Sequence, residues 1–405
     1  MRFAHMADCH IGAWNDPKMR QASIKAFERA VDICIKEGVD FVLIAGDLFN
    51  TSLPGIDSLK ATVKKLRELK ENDITVYVIP GSHDFSPSGK TMLEVLEEAG
   101  LVINVSKGDF SNEKIVLKFT TDKKTGARIT GMVGRKGGLE KVYYKGLDKT
   151  DLEKQKGFKI FMFHTALEEF KPKGLEKIEA SPLSLLPKDF DYYAGGHVHY
   201  VFNKQEKDYG TIAYPGPLFP NNFKELEELE NGGFYIVNVN KKIEPSYQPI
   251  VVYNVFSVRM DCNNKTPEEV HSELIEEFQN KEFVNTIVTI RLFGILKTGK
   301  TPDINFKDIM KLLQTKGAVF VMKNTHKLSS KEFKEVKIKK ASVEEIEEEL
   351  IKEHTDQINV EGWDQKKQIH LIKTLMKILD TEKGEDEKVA DFEKRIDEEA
   401  KNILD

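Results

Sequence analysis

TVYVIPGSHDFSP, residues 75–87, passes from an apolar strand into a turn that reads Gly81-Ser82-His83-Asp84. A β-branched and aromatic run that stops at Pro-Gly is the signature of a buried strand followed by a turn. What comes after this strand is polar and titratable. In open α/β sheets the ligand crevice lies beyond the carboxyl ends of the strands, so His83 and Asp84 stand where such a crevice would be.

Working outward, the same arrangement recurs. RFAHMAD (2–8) and DFVLIAG (40–46) are short apolar runs that end in polar or glycine-containing turns. Between them, residues 21–38 put Ile24, Phe27, Ala30, Val31 and Cys34 on one helical face, and residues 57–72 do so with Leu59, Val63 and Leu66. This βαβαβ start predicts a largely parallel sheet with helices packed on it. Later strand candidates, KIVLKF, RITGMV, FKIFMFH, DYYAGGHVH, TIAYPG and GGFYIVNV, follow with few helices between them. They predict a second, mixed or antiparallel sheet. The expected fold class is therefore α/β, a two-sheet sandwich flanked by helices over residues 1–248. A small β-α-β-α-β domain follows over 249–341, and an acidic helical segment over 342–405. In that segment Ile369, Ile372, Leu375, Met376 and Leu379 form an apolar stripe too narrow for a core of its own.

A chain of 405 residues, 40% hydrophobic and 31% charged, has the make-up of a globular protein of two or three domains. No apolar run reaches the roughly 18 residues of a membrane span, and Met1–His10 is strand-like and unlike a signal peptide, so an intracellular protein is expected. Cys9, Cys34 and Cys262 form no Cys-x-x-Cys pair, which argues against a disulfide framework and a thiolate metal site. The net charge of −5 conceals an asymmetry: residues 343–405 carry −10, and 1–342 carry +5. Lys107–Lys173 holds 16 basic and 9 acidic residues, and Lys323–Lys340 holds 7 and 2. Such a surplus suits a polyanion-binding face and equally a solvated lysine-rich surface.

Five titratable groups lie at strand ends: Asp8 with His10, Asp47, His83 with Asp84, His164, and His197 with His199. A single histidine at a strand end is more often a hydrogen-bonded turn residue than a ligand. Five such events at the ends of different strands indicate a metal site at one sheet edge. The i, i+2 spacing of Asp8 with His10, and of His197 with His199, lets each pair face one side of an extended chain. Imidazole with carboxylate and no thiolate suits Mn(II), Fe(II) or Zn(II). The number of candidate ligands calls for two ions, the arrangement used to cleave phosphate esters.

The motifs Asp8-Cys9-His10, Gly46-Asp47, Gly81-Ser82-His83-Asp84, His164 and Gly196-His197-Val198-His199 resemble those of the calcineurin-type metallophosphoesterases. Within them the chain resembles the meiotic recombination eleven family of double-strand-break repair nucleases and its bacterial SbcD relatives. The resemblance implies a DNA nuclease, acting as a single-strand endonuclease and a 3′–5′ double-strand exonuclease with two Mn(II) ions. It implies Asp8, His10, Asp47 and His199 on one ion, and Asp47, the third-motif residue, His164 and His197 on the other. His83 would face the leaving oxygen, and Asp84 would orient that imidazole. Two positions depart from the family pattern. Ser82 stands where the family has Asn, which predicts a weaker second site, and Asn50 stands where many members have a His tied to exonuclease action. Further implied are a homodimer through residues 57–70 and 89–99, and an SMC-like ABC ATPase of the Rad-fifty type gripped by the stripe Ile369–Leu379. Two other readings fit the motifs: an esterase for a small or protein phosphate, and a scaffold that has lost catalysis.

Overall fold

The computed structural model describes residues 1–85, 91–111, 114–135, 139–171, 178–331, 351, 365–381 and 389–404. They fall into two compact units, Met1–Ser329 and Ser330–Asp405. Among the described residues no helix is long and apolar enough to cross a membrane.

The chain opens with four parallel strands, β1 (Arg2–Met6), β2 (Phe41–Ala45), β3 (Thr75–Ile79) and β4 (Ile103–Asn104). They are joined through α1 (Pro17–Lys36), α2 (Ile56–Glu71) and α3 (Met92–Glu98). Pro17 opens α1, and the Asp16 carboxylate caps it by accepting from the Lys18 and Met19 N–H groups. After the hairpin β5 (Gly108–Ser111) and β6 (Lys114–Leu117), a second six-stranded sheet is built. Its strands are β7 (Thr120–Thr121), β8 (Arg128–Gly131), β9 (Lys159–His164), β10 (Tyr192–Gly196), β11 (Phe202–Glu206) and β12 (Gly210–Tyr214). They lie in the order β11-β12-β10-β9-β8-β7, with α4 (Leu139–Lys145) and α5 (Thr150–Lys154) before β9. The chain then passes through α6 (Phe223–Leu229) and returns to the first sheet. There β13 (Gly232–Val239) lies antiparallel to β1 and β14 (Ile243–Ile250) forms the edge.

Strand alternation makes three layers of apolar contact. Phe3, Phe41, Leu43, Tyr77 and Ile79 of the first sheet meet Ile129, Ile160, Met162, Tyr192 and Ala194 of the second in one buried cluster. The opposite face of the first sheet, with Ala4, Val42, Ile44 and Val78, packs on Phe27, Val31 and Cys34 of α1 and Leu66 of α2. Phe161, Phe163 and Tyr193 form the outer cluster of the second sheet. This is the α/β two-sheet sandwich flanked by helices that the periodicity predicts.

A third sheet follows: β15 (Asn254–Asp261), α7 (Pro267–Gln279), β16 (Thr286–Leu296), α8 (Phe306–Thr315) and β17 (Ala318–Ser330). It has a separate core around Val270, Leu274, Phe278, Val288, Ile290 and Ile309. Ile287, Phe320 and Met322 face the other way and join the core that contains α1, so this element is docked on the sandwich within the first unit.

In the second unit, α9 (Gln365–Leu379) and α10 (Val389–Leu404) pack against each other. Ile369, Ile372 and Leu375 are half-buried, whereas Met376 and Leu379 are exposed, Leu379 by 73%. Much of the expected acidic segment, residues 342–350 and 352–364, lies outside the described residues, as does 332–340 of the second basic stretch.

Candidate metal centre

The titratable residues come together, at the facing ends of two sheets. Asp8, His10, Asp47 and His83 follow β1, β2 and β3 of the first sheet. His164 closes β9, and His197 and His199 follow β10 of the second. The single sheet edge expected from the sequence is thus a cleft between two sheets.

The backbone geometry also departs from the extended i, i+2 presentation. β1 ends at Met6, and Asp8, His10, Asp47 and His197 have φ of 48°, 40°, 52° and 88°. Left-handed backbone costs a residue with a Cβ roughly 1–2 kcal/mol. The chain turns at each of these residues, and it is this turning, not strand pleating, that aims them inward. Parallel bridging resumes immediately afterwards between Ile11 and Phe49. Cys9 and Val198, between the polar residues, are buried in two different apolar clusters. Gly196 is required by space: a Cβ there would fall on the Ala45 carbonyl and lie 2.8 Å from His164 Nδ1.

Three sets of potential ligand atoms lie within 4.8 Å of one another: Asp8 with His10 and His199, His10 with Asp47 and His83, and Asp8 with Asp47 and His164. His164 Nε2 is 3.2 Å from Asp47 Oδ2 and 4.0 Å from Asp8 Oδ1. His10 Nε2 stands 3.6 Å from Asp47 Oδ2 and 3.2 Å from His199 Nε2. The His197 ring lies 5.3 Å from that of His164, centroid to centroid, outside the three sets. Ser82, next to His83 in the chain, is buried.

The main chain holds the carboxylates in place. The His197 N–H donates to both oxygens of Asp8, at 2.9 and 3.1 Å, and the His83 N–H donates to Asp47 Oδ1 at 2.7 Å. Asp84 does not serve the expected role. Its oxygens accept from the Phe49 and Gly81 N–H groups, at 3.3 and 2.8 Å, so it ties the second and third turns together. The His83 ring is oriented instead by the Asn50 carbonyl, 2.9 Å from Nδ1.

Glu225 of α6 is a site residue that the sequence reading missed. Its Oε1 is 2.9 Å from His199 Nδ1. In Asn222-Phe-Lys-Glu225 the glutamate reads as a residue of the first helical turn, and Asn222 does cap the Glu225 N–H. A carboxylate on the far nitrogen of an imidazole fixes the tautomer and directs Nε2 into the cleft. The carbonyl of Ala45, 2.8 Å from His164 Nδ1, does the same for His164.

Burial pushes His10 down to about 3 and His197 down to about 4. Burial opposes protonation of His164 too, but Asp47 and Asp8 outweigh it and raise His164 to about 10. Likewise Glu225 and Asp8 outweigh burial at His199, which reaches about 9. Burial raises Asp8, whereas at Asp47 the neighbouring His164 and His10 overcome burial and hold it below the carboxylate range. Burial, then Asp47, lifts Asp84 to about 7. Protons on His164 and His199 thus balance the carboxylates, and a cation would displace them. The donor set fits divalent metal: five imidazoles and two carboxylates face one cleft, and three sets of their ligand atoms lie within 4.8 Å of one another.

Residues 1–201 match the calcineurin-like phosphoesterase family. The chain is 27% identical over 305 residues to the DNA double-strand break repair protein Mre11 of Methanococcus maripaludis, covering 69% of this chain and 74% of that protein. Proteins of the same name from Methanopyrus kandleri and Archaeoglobus fulgidus are 30% identical over 259 residues and 28% over 287. Those alignments cover 60% and 64% of this chain, and 54% and 62% of the relatives.

Proposed function

We propose that the chain, whose residues 1–201 match the calcineurin-like phosphoesterase family, is a metal-dependent DNA nuclease that processes ends in double-strand-break repair. The observation that carries the reading is the cleft itself, where Asp8, Asp47, His10, His83, His164, His197 and His199 converge from two sheets, with His164 Nε2 3.2 Å from Asp47 Oδ2. The repair-protein names of the relatives supply DNA as the substrate.

In this reading Asp8, His10, Asp47 and His199 would hold one Mn(II) ion, and Asp47, Ser82, His164 and His197 would hold the second. Two bound ions would supply an activated water and neutralise charge on the phosphoryl oxygens. The protein's own part is positional. Backbone N–H groups fix the lone pairs of Asp8 and Asp47, so these carboxylates need no reorganisation when the substrate arrives. The Asn50 carbonyl claims the Nδ1 proton of His83 and leaves Nε2 to face the substrate. With Nδ1 already protonated, a second proton on Nε2, making the ring an imidazolium, is what the departing oxygen would take. Single-strand endonuclease and 3′–5′ exonuclease action both use this one cleft, with Asn50 making the exonuclease the weaker of the two.

Dimerisation through α2 and α3 is supported by exposed Leu53, Ile56 and Val95, and ATPase binding by exposed Met376 and Leu379 on α9. The division into a nuclease domain (1–248), a DNA-binding cap (249–341) and an ATPase-binding segment (342–405) belongs to the same proposal.

The deciding experiment measures Mn(II)-dependent cleavage of circular single-stranded and linear duplex DNA by wild type, His83→Ala and Asp47→Ala. Cutting by wild type that both substitutions abolish is expected. A wild type that leaves DNA intact while hydrolysing a small phosphodiester would overturn the choice of substrate.

A further inference from the structure

We propose that α6 is a strut that couples the metal ligand His199 to the third sheet, so that the seating of that sheet tunes metal affinity. The inference rests on the reading of His199 as a ligand and adds a connection which that reading does not contain.

Two glutamates of α6 carry it. Glu225 and Glu227 are two residues apart, about 200° around a helix, and so point to opposite sides. On one side Glu225 accepts from the Asn221 N–H at 2.8 Å and reaches His199 Nδ1. On the other, Glu227 takes a fork from Arg291 of β16, with Nε 2.9 Å from both carboxylate oxygens and Nη2 2.6 Å from Oε2. Arg259 of β15 adds a longer contact at 3.4 Å. The Arg291 guanidinium also lies over the Phe223 ring, 4.9 Å from its centroid, at the start of the same helix.

The clamp is a committed one. The Glu227 side chain is only 2% exposed and that of Arg291 18%, so the carboxylate depends on this fork for compensation. A buried carboxylate deprived of its partner is strongly destabilising. Between the two glutamates, Leu226 is fully buried in the core shared with α1. A seven-residue helix held on three sides moves as one body. Any shift of β15 and β16 that drags Glu227 therefore displaces Glu225, and with it the ring of His199. Coupling between sites is reciprocal, so metal on His199 must also favour the docked position of the third sheet.

The test titrates Mn(II) into the metal-free full-length chain by calorimetry. The Glu227→Met/Arg291→Met pair removes the clamp without leaving a buried charge, and Arg291→Lys keeps the charge but loses the fork. The paired variant is expected to bind Mn(II) about fivefold or more weakly, with the lysine variant in between. Glu225→Gln, which acts on His199 directly, should weaken binding by about 10- to 100-fold. In wild type, Mn(II) should slow amide exchange in β16, and in the paired variant it should not. Folding of each variant is checked by its thermal transition, and Arg291→Lys serves if the pair fails to fold. Unchanged affinity in both clamp variants, with weakening in His199→Ala, would overturn the strut. Unchanged affinity in His199→Ala would instead overturn the ligand assignment.

Discussion

His164 Nδ1 lies 2.8 Å from the carbonyl oxygen of Ala45, so a ring at the end of β9 in the second sheet is fixed by the end of β2 in the first. The bond sets the tautomer and ties the sheets together at the point where the cleft forms. Nε2 is left facing Asp47 at 3.2 Å.

Metal should therefore stabilise the fold measurably, and His164 should be needed for it. With Mn(II) at 100 times its Kd the gain is about 2.7 kcal/mol, a rise of several degrees in melting temperature. Thermal scans with Mn(II) and with chelator should show this for wild type and a much smaller difference for His164→Ala. Equal shifts in both proteins would remove His164 from the site.

Ser82 is buried, next to His83 in the chain, with a side chain shorter than that of asparagine. Ser82→Asn is expected to tighten the weaker of two Mn(II) binding events several-fold and leave the stronger one unchanged. Calorimetry resolves the two. No tightening would mean that position 82 does not touch the metal.

His5 is buried between the sheets, with Nδ1 2.9 Å from the Tyr192 hydroxyl, and burial lowers it from 6.5 to about 3. Its folded form thus binds fewer protons than its unfolded form between those values. Stability is fully present above pH 6.5 and is lost as the pH falls toward 3, by up to about 1.4 kcal/mol per unit from this residue. His5→Gln should flatten the pH dependence of denaturant unfolding over this window, measured with chelator present. An unchanged slope would show that the imidazole is protonated in the fold.

Leu53, Ile56 and Val95 are 76%, 83% and 57% exposed around α2 and α3. If they form a dimer face, Ile56→Lys with Val95→Lys should halve the mass seen in sedimentation while leaving the melting temperature of the subunit nearly unchanged. A wild type that sediments as a monomer at high concentration would rule the face out.

On α9, Leu375→Glu should abolish co-purification with a Rad-fifty-type ATPase, since a buried carboxylate in an apolar groove costs more than one helix contact returns. Retained co-purification would place the partner elsewhere.

Legibility in the sequence followed the strength of local pattern. Strands buried on both faces, such as FVLIA and KIFMF, and the amphipathic α1 announce themselves. β14 and β11 do not: IEPSYQPI carries two prolines and FNKQE is mostly polar, and both are tolerated because they lie at sheet edges. For the site, motif spacing named the ligand candidates but not their geometry. Spacing cannot reveal that Asp8, His10, Asp47 and His197 adopt left-handed backbone. Nor can it reveal that Asp84 braces backbone while Asn50 orients His83. Glu225 stayed hidden because its tertiary role is superposed on an ordinary helix start.

The position of β13 sets an order of events for the growing chain. β1 is made before the other strands described, yet one of its two neighbours is β13, with Arg2 opposite Asn238. Until residue 238 has left the ribosome, the edge of β1 is unpaired and open to wrong partners, and β2 and β3 must shield the nascent sheet from one side only. Synthesis therefore completes the candidate metal ligands, the last being His199, before it completes the sheet that carries the first of them. The return of β13 to β1 is a contact of long sequence separation, a kind that forms slowly.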